Sequence, residues 1–189
     1  MKLVKLNLAI SAIAFAVMAI VFSNVFKMST PGVSYIAYLM IGLTYFNYFS
    51  EASNFAMSSV VANFPLINKV YMPKYIFPLS RTISSGVNLL ISLIPLILIC
   101  LITGVALKQS VILALYFLTC LVVFALGVGM FLSALMVFFR DIQFLWSVVV
   151  MMWQYATPIF YAPEIIPAKF AFILRFNPIY HFIKNIRLC

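Results

Sequence analysis

Groups able to move protons are scarce in this chain of 189 residues, which has one histidine, His181, and three carboxylates, Glu51, Asp141 and Glu164. These stand far apart, in or near different loops, and no pair has the spacing of a general acid and base. None of the six glycines belongs to a G-x-x-x-x-G-K-[ST] loop, so no phosphate cradle of that kind is expected. Cys100, Cys120 and Cys189 lack metal-ligand spacing, and they read as small apolar packing residues with no disulfide framework. Aromatic hydroxyls offer a different chemistry. Tyr38, Tyr45 and Phe49 fall at i, i+7 and i+11 on one helical face, with Tyr35 and Gly42 close to that stripe. Such a stripe presents ring faces and hydroxyls to a polar chain such as a sugar polymer. An aromatic belt combined with helix packing explains the same pattern.

The elements that position these residues follow from composition. The chain is 66% apolar and only 8% charged, with a mean hydropathy of +1.18. Ordinary soluble domains are about 45–50% apolar and about 25% charged. A soluble enzyme, a DNA-binding domain and a disordered tail are all disfavoured, and the chain belongs in a bilayer. Lys and Arg number 12 against 3 acids, a formal net charge of +9. The cations lie at the ends of apolar runs and form no basic cluster, which fits membrane topology and anionic head groups and gives no reason to expect a nucleic-acid partner.

Five apolar runs read as spans: about 6–26, 35–56, 84–102, 111–139 and 144–159. The first follows Lys2 and Lys5 as a signal peptide would. It is longer than an ordinary signal core, however, and no A-x-A-like site follows it. No alternating strand pattern is present, so the expected fold is an all-α, polytopic helical bundle. An N-terminus on the cytoplasmic side places Lys2, Lys5, Lys69, Lys74, Arg81 and Arg140 inside, against Lys27 and Lys108 in the outer loops. Lys169, Arg175, Lys184 and Arg187 then also fall outside and level the count. The short loops decide the orientation, because the first helix usually dominates it. Glu51 is the one acid within a run, with Arg140, Arg81 or interfacial water as partners. Mid-membrane coupling charges are otherwise missing, so any cargo must move with energy from a partner.

Two stretches are not spans. Residues 58–81 mix apolar and basic side chains between flanking prolines. This segment could present Leu66, Ile67 and Val70 to a partner, or lie on head groups held by Lys69 and Lys74. From Thr157 onward, repeated prolines break the chain into pieces, which suggests half-helices or a re-entrant hairpin at the outer face, or an amphipathic tail that only anchors. In the fourth run, Ala125, Gly129 and Ser133 form a small-residue ladder for close helix approach.

Three stretches stand out together: Asn63 to Pro78 (Asn-x-x-Leu-Ile-x-Lys-Val-Tyr-x-Pro-x-x-x-x-Pro), Phe139-Arg140-Asp141-Ile142, and Trp153 to Pro178 with Thr157-Pro158-x-x-Tyr161, Pro167 and Asn177-Pro178 in order. In this order and at these spacings they resemble the membrane subunits of ABC-2-type transporters, especially exporters of O-antigen, teichoic acid or capsule-like glycans. The likeness covers almost the whole chain and implies a single transmembrane domain over 1–189 in a bacterial cytoplasmic membrane. Asn63, Pro65, Leu66, Ile67, Lys69, Tyr71 and Pro73 would form a coupling helix docking on an ATP-binding subunit, with Arg140 and Asp141 near the same interface. Tyr38, Tyr45 and Phe49 on the second span, with Trp153 and Tyr155 on the fifth, would line the glycan path. Thr157, Pro158, Tyr161, Pro167, Asn177 and Pro178, within 157–189, would form re-entrant external gate helices.

The implied assembly pairs the chain with a second copy and two ATP-binding subunits that hold ATP and Mg, so the chain itself needs no cofactor. A lipid-linked glycan would be the cargo, with membrane lipids around it. Family members usually carry an amphipathic helix before the first span and a sixth span after the gate. Here about five residues precede the first run and the chain stops at Cys189, so a form shortened at both ends is expected. The rival readings are an ABC-2 exporter of a drug or another lipid, and a small structural or assembly membrane protein with no ATPase partner. An intramembrane lipid-modifying enzyme is disfavoured by the shortage of acids and histidines.

Overall fold

The structure, a computed structural model, describes residues 35–67, 69, 72–102, 111–161 and 171–188, and every regular element among them is a helix. These are α1 (Tyr35–Ala62), α2 (Phe64–Ile67), α3 (Ile76–Ile102), α4 (Val111–Phe138), α5 (Ile142–Ala156), α6 (Ala171–Phe176) and α7 (Pro178–Leu188). The described residues thus form the expected all-α bundle. Two of the helices, Ile76–Cys100 and Leu113–Phe138, are long and apolar enough to cross a membrane, and Ile142–Ala156 is apolar but shorter. The count of five is not reached on these helices. The first run, 6–26, lies outside the described residues, and α1 is long enough but more polar than α3 or α4.

That polarity explains where α1 sits. It packs chiefly against α3 and α4, with α5 and α7 also touching it, so most of its polar side chains are at least partly buried in the bundle. Most of them bond back to their own helix. Thr44 Oγ1 donates to the Met40 carbonyl at 2.8 Å, Asn54 Nδ2 to Ser50 at 2.7 Å and Ser59 Oγ to Ala56 at 2.6 Å. In hydrocarbon an unsatisfied hydroxyl has no water to turn to, so such back-bonds cost little and remove a large penalty. Two bonds reach other helices: Asn88 Nδ2 donates to Glu51 Oε1 at 2.9 Å, and Trp146 Nε1 donates to Ser53 Oγ at 3.1 Å. The partner of Glu51 is therefore an amide on α3, in place of the arginines or water the sequence suggested.

The small-residue ladder of α4 lies against α1. A Cβ built on Gly129 would stand 2.6 Å from the Ala56 Cβ and 3.7 Å from Thr82 Oγ1 of α3. Ala52, Ala56, Thr82, Ala125 and Ser133 are all buried there, so three long helices converge on small side chains.

Helix ends differ from the apolar runs because hydropathy marks only the part of a helix removed from water, and the helices continue beyond it. α1 continues six residues past Ala56, and α3 starts eight residues before Ser84. Pro78 is tolerated in the first turn of α3, where its missing N–H would have no helical partner anyway. The expected connecting loop of 58–81 thereby shrinks to the stretch between Ala62 and Ile76. The fifth run ends as expected at Thr157-Pro158: Thr157 takes extended backbone angles (φ −93°, ψ 127°), as a residue before proline prefers.

Candidate functional site

One end of the bundle gathers the C-termini of α1 and α4 with the N-termini of α3 and α5. Met57 of α1 packs there on Leu132 and Met136 of α4, with Ile142 and Trp146 of α5 against them. From this end projects α2. Asn63 holds its start: Nδ2 donates to the Ser59 carbonyl at 2.7 Å, while the Asn63 carbonyl accepts from Leu66 and Ile67. This single helical turn buries none of its residues, and it exposes Phe64 (54%) and Leu66 (46%) beside exposed Pro65. Lys69, Pro73, Arg140 and Asp141 are exposed at the same end. Tyr71 lies outside the described residues. An apolar turn is thus held out at this end of the bundle, flanked by exposed charges.

The middle of the bundle is an aromatic cluster. Phe49 is fully buried and stacks on Phe124 at 5.7 Å, with Trp153 edge-on at 5.4 Å and Trp146 at 6.4 Å. Tyr45 is also buried, Trp153 is half-buried, and Tyr155 stands 62% exposed on α5. Within one chain, Phe49 and Tyr45 pack the core, and Tyr155 is the open member of the aromatic set.

The opposite end is built on Asn177. Its Oδ1 accepts the Tyr180 amide at 3.2 Å, an N-cap three residues ahead of its donor, and Pro178 fills the first helical position of α7. The same oxygen accepts Trp153 Nε1 at 2.9 Å, and Nδ2 donates to Thr157 Oγ1 at 2.8 Å. Thr157 Oγ1 in turn donates to the Trp153 carbonyl at 2.9 Å, closing a ring of polar contacts between α5 and α7. Ile179, Ile183 and Ile186 form the buried stripe of α7, with His181 and Lys184 outside, and this face packs on α4 and α1. Tyr161 Oη donates to the Tyr155 carbonyl at 2.9 Å, and partial burial raises the pKa of this phenol above its ordinary value. Beyond Thr157 the described residues form two short helices, α6 and α7, broken at Asn177. Thr157, Pro158, Tyr161, Asn177 and Pro178 come together here, while Pro167 lies outside the described residues.

Arg187 ties this end to α1. Its guanidinium lies 3.5 Å from the Tyr38 ring centroid, with Nη1 donating to the Pro158 carbonyl at 3.0 Å and Nη2 to Ile159 at 3.4 Å. It passes through the space a Cβ on Gly42 would fill. Tyr38 Oη reaches the Pro158 and Tyr161 carbonyls at 3.5 Å each. A lysine cannot face a ring and two carbonyls at once as the planar guanidinium does. Arg187→Lys is therefore expected to loosen the 157–161 turn nearly as much as Arg187→Ala. Chymotryptic cleavage at Tyr161 should rise several-fold in both, and unchanged cleavage would refute the role of this contact.

Sequence reasoning treated Arg187 only as a tail cation and did not find it as a contact residue. Its one signal was Gly42 within the tyrosine stripe, which is legible only once α7 is placed. The Asn63–Pro73 and Arg140-Asp141 positions share one end of α1, and the Thr157–Pro178 set shares the other. They are separated by about 40 Å of helix at about 1.5 Å per residue.

The helical bundle thus carries an exposed apolar turn at one end and a proline-broken, hydrogen-bonded segment at the other. Residues 4–189 match the model of the ABC-2 type transporter family, and the chain belongs to that family. Two relatives from Klebsiella pneumoniae, both named O-antigen export system permease protein RfbA, are each 29% identical over 160 residues. The match covers 84% of this chain and 61% of each relative, so the chain spans about three fifths of their length.

Proposed function

We propose that the chain is the permease part of an ATP-driven exporter that carries a lipid-linked polysaccharide across the cytoplasmic membrane as a multi-pass protein. It works beside a second copy of itself and two ATP-binding subunits, which bind ATP and Mg and carry out hydrolysis. The polysaccharide reading is supported by the O-antigen export permeases it resembles. The observation that carries the coupling role is α2, a turn of apolar residues exposed between the two helices of the cytoplasmic end. Closure of the ATP-binding subunits pushes on α2 and, through α1 and α3, on the packed bundle. Tyr155 offers an open ring to the sugar chain, with Trp153, Phe49, Tyr45 and Tyr38 forming the wall behind it. The Asn177 ring and the Arg187 contact hold the exit shut between strokes.

Leu66→Glu and Lys69→Glu test the coupling role. Both are expected to lower recovery of the ATP-binding subunit at least about tenfold, roughly the effect of losing 1.4 kcal/mol at an interface. Membrane insertion, read from carbonate-resistant protein, should stay at the wild-type level. Equal recovery of the subunit with both variants would remove α2 from the interface.

A further inference from the structure

Beside the docking turn, α1, α3 and α4 leave a cavity of about 340 Å³ between their ends. Its floor is apolar, from the buried Val60 and Pro78, and its rim carries Met130, Val137 and the rings of Tyr75 and Phe138, all exposed. Lys74 is the one charged residue that lines it, and Lys74 is exposed. Ser133, the other polar lining residue besides Tyr75, already donates its hydroxyl to the Met130 carbonyl at 2.8 Å and makes no demand on a ligand. The cavity lies where two membrane-crossing helices end: Ile76 opens α3 and Phe138 closes α4. That level is the boundary between hydrocarbon and water, where tyrosine rings and lysines on long stems settle.

We propose that this cavity is a resident site for one anionic phospholipid, with an acyl chain on the apolar floor and the phosphate on Lys74. The inference rests on the membrane reading above and is separate from the cargo route. Three features select the occupant. An apolar cavity of this size favours a hydrocarbon tail over a polar solute. A lone cation at its mouth favours an anionic head over a zwitterionic one. The surroundings agree: Lys69, Lys74, Arg81 and Arg140 at this end face one described acid, Asp141. A lipid here would brace the root of α2 against α3 and α4, which makes it a structural part of the docking end.

Native mass spectrometry of the full-length permease, released from mixed vesicles of equal phosphatidylglycerol and phosphatidylethanolamine, tests the site. The wild type should retain phosphatidylglycerol about fivefold over phosphatidylethanolamine, the size of effect one lysine has at an anionic surface. Lys74→Glu should abolish that preference. Ala134→Phe, at an exposed lining position, should fill the cavity and lower retention of both lipids while the protein stays monodisperse. Equal retention of both lipids by the wild type, or an unchanged preference in Lys74→Glu, overturns the proposal. So does finding a polyprenyl phosphate as the retained lipid, which would make the cavity a cargo site. Recovery of the ATP-binding subunit, measured separately, distinguishes failure of this site from failure of the exporter reading.

Discussion

Asn177→Leu should be among the most damaging single substitutions in the chain. It removes the N-cap of α7, an acceptor for Trp153 Nε1 and a donor to Thr157, all in a site where Asn177 is only 5% exposed. The indole N–H and the Tyr180 amide are then left buried without acceptors. Each such group costs about 1–3 kcal/mol, so a total near 3–5 kcal/mol is expected. The thermal midpoint of the permease in detergent should fall sharply, and the fluorescence of Trp153 should shift as its hydrogen bond is lost. Asn177→Ser should recover only the cap, worth about 1 kcal/mol, because its hydroxyl is too short to reach the indole. A loss below about 1 kcal/mol for Asn177→Leu would mean that the ring of contacts does not hold α5 to α7. With the proposed exporter role, export should fall further than protein level does, because the same contacts hold α5 to α7 at the end assigned to the exit.

Gly129→Leu should be equally severe for a different reason. Its Cβ meets the Ala56 Cβ at 2.6 Å, so even Gly129→Ala forces α1 and α4 apart, and leucine adds three more heavy atoms. Overpacking of a close helix crossing costs about 1–3 kcal/mol or more, and at this crossing α3 is displaced too. Gly127 is the matched control, two residues away on the same helix, with nothing within 4 Å of a built Cβ. Gly127→Ala should leave the thermal midpoint unchanged or raise it, since alanine is favoured over glycine inside a helix by about 0.5–1 kcal/mol. Thermal midpoints of Gly129→Ala and Gly127→Ala in parallel decide the matter. Equal effects would show that the crossing tolerates side chains and that the ladder is incidental.

How far the sequence reached depends on the kind of signal. Apolar runs and proline breaks are local, so α4, the end of α5 at Thr157 and the split of the tail at Asn177-Pro178 were legible. The N-cap of α7 was available in the same way, from an asparagine followed by proline. Helix ends beyond the apolar zone were not, because Ser58 and Ser59 of α1 satisfy their hydroxyls on their own helix's carbonyls and leave no hydropathy signal. The ladder of Ala125, Gly129 and Ser133 announced a close neighbour without saying which helix it was. Pairings between distant residues were the least accessible. Asn88 with Glu51, Trp146 with Ser53 and Arg187 with Tyr38 each need two helices in register before the partners meet. The aromatic stripe of α1 suggested a lining, yet burial within one chain depends on Phe124, Trp146 and Trp153, which no spacing within α1 can report.

That a separate ATPase drives this chain is the core of the proposed function. Its most direct test is affinity purification of the tagged, full-length protein in mild detergent, with mass spectrometry of whatever accompanies it. A stoichiometric ATPase carrying Walker motifs, lost on Leu66→Glu, is the predicted result. A well-inserted, monodisperse permease that never carries such a subunit would contradict it.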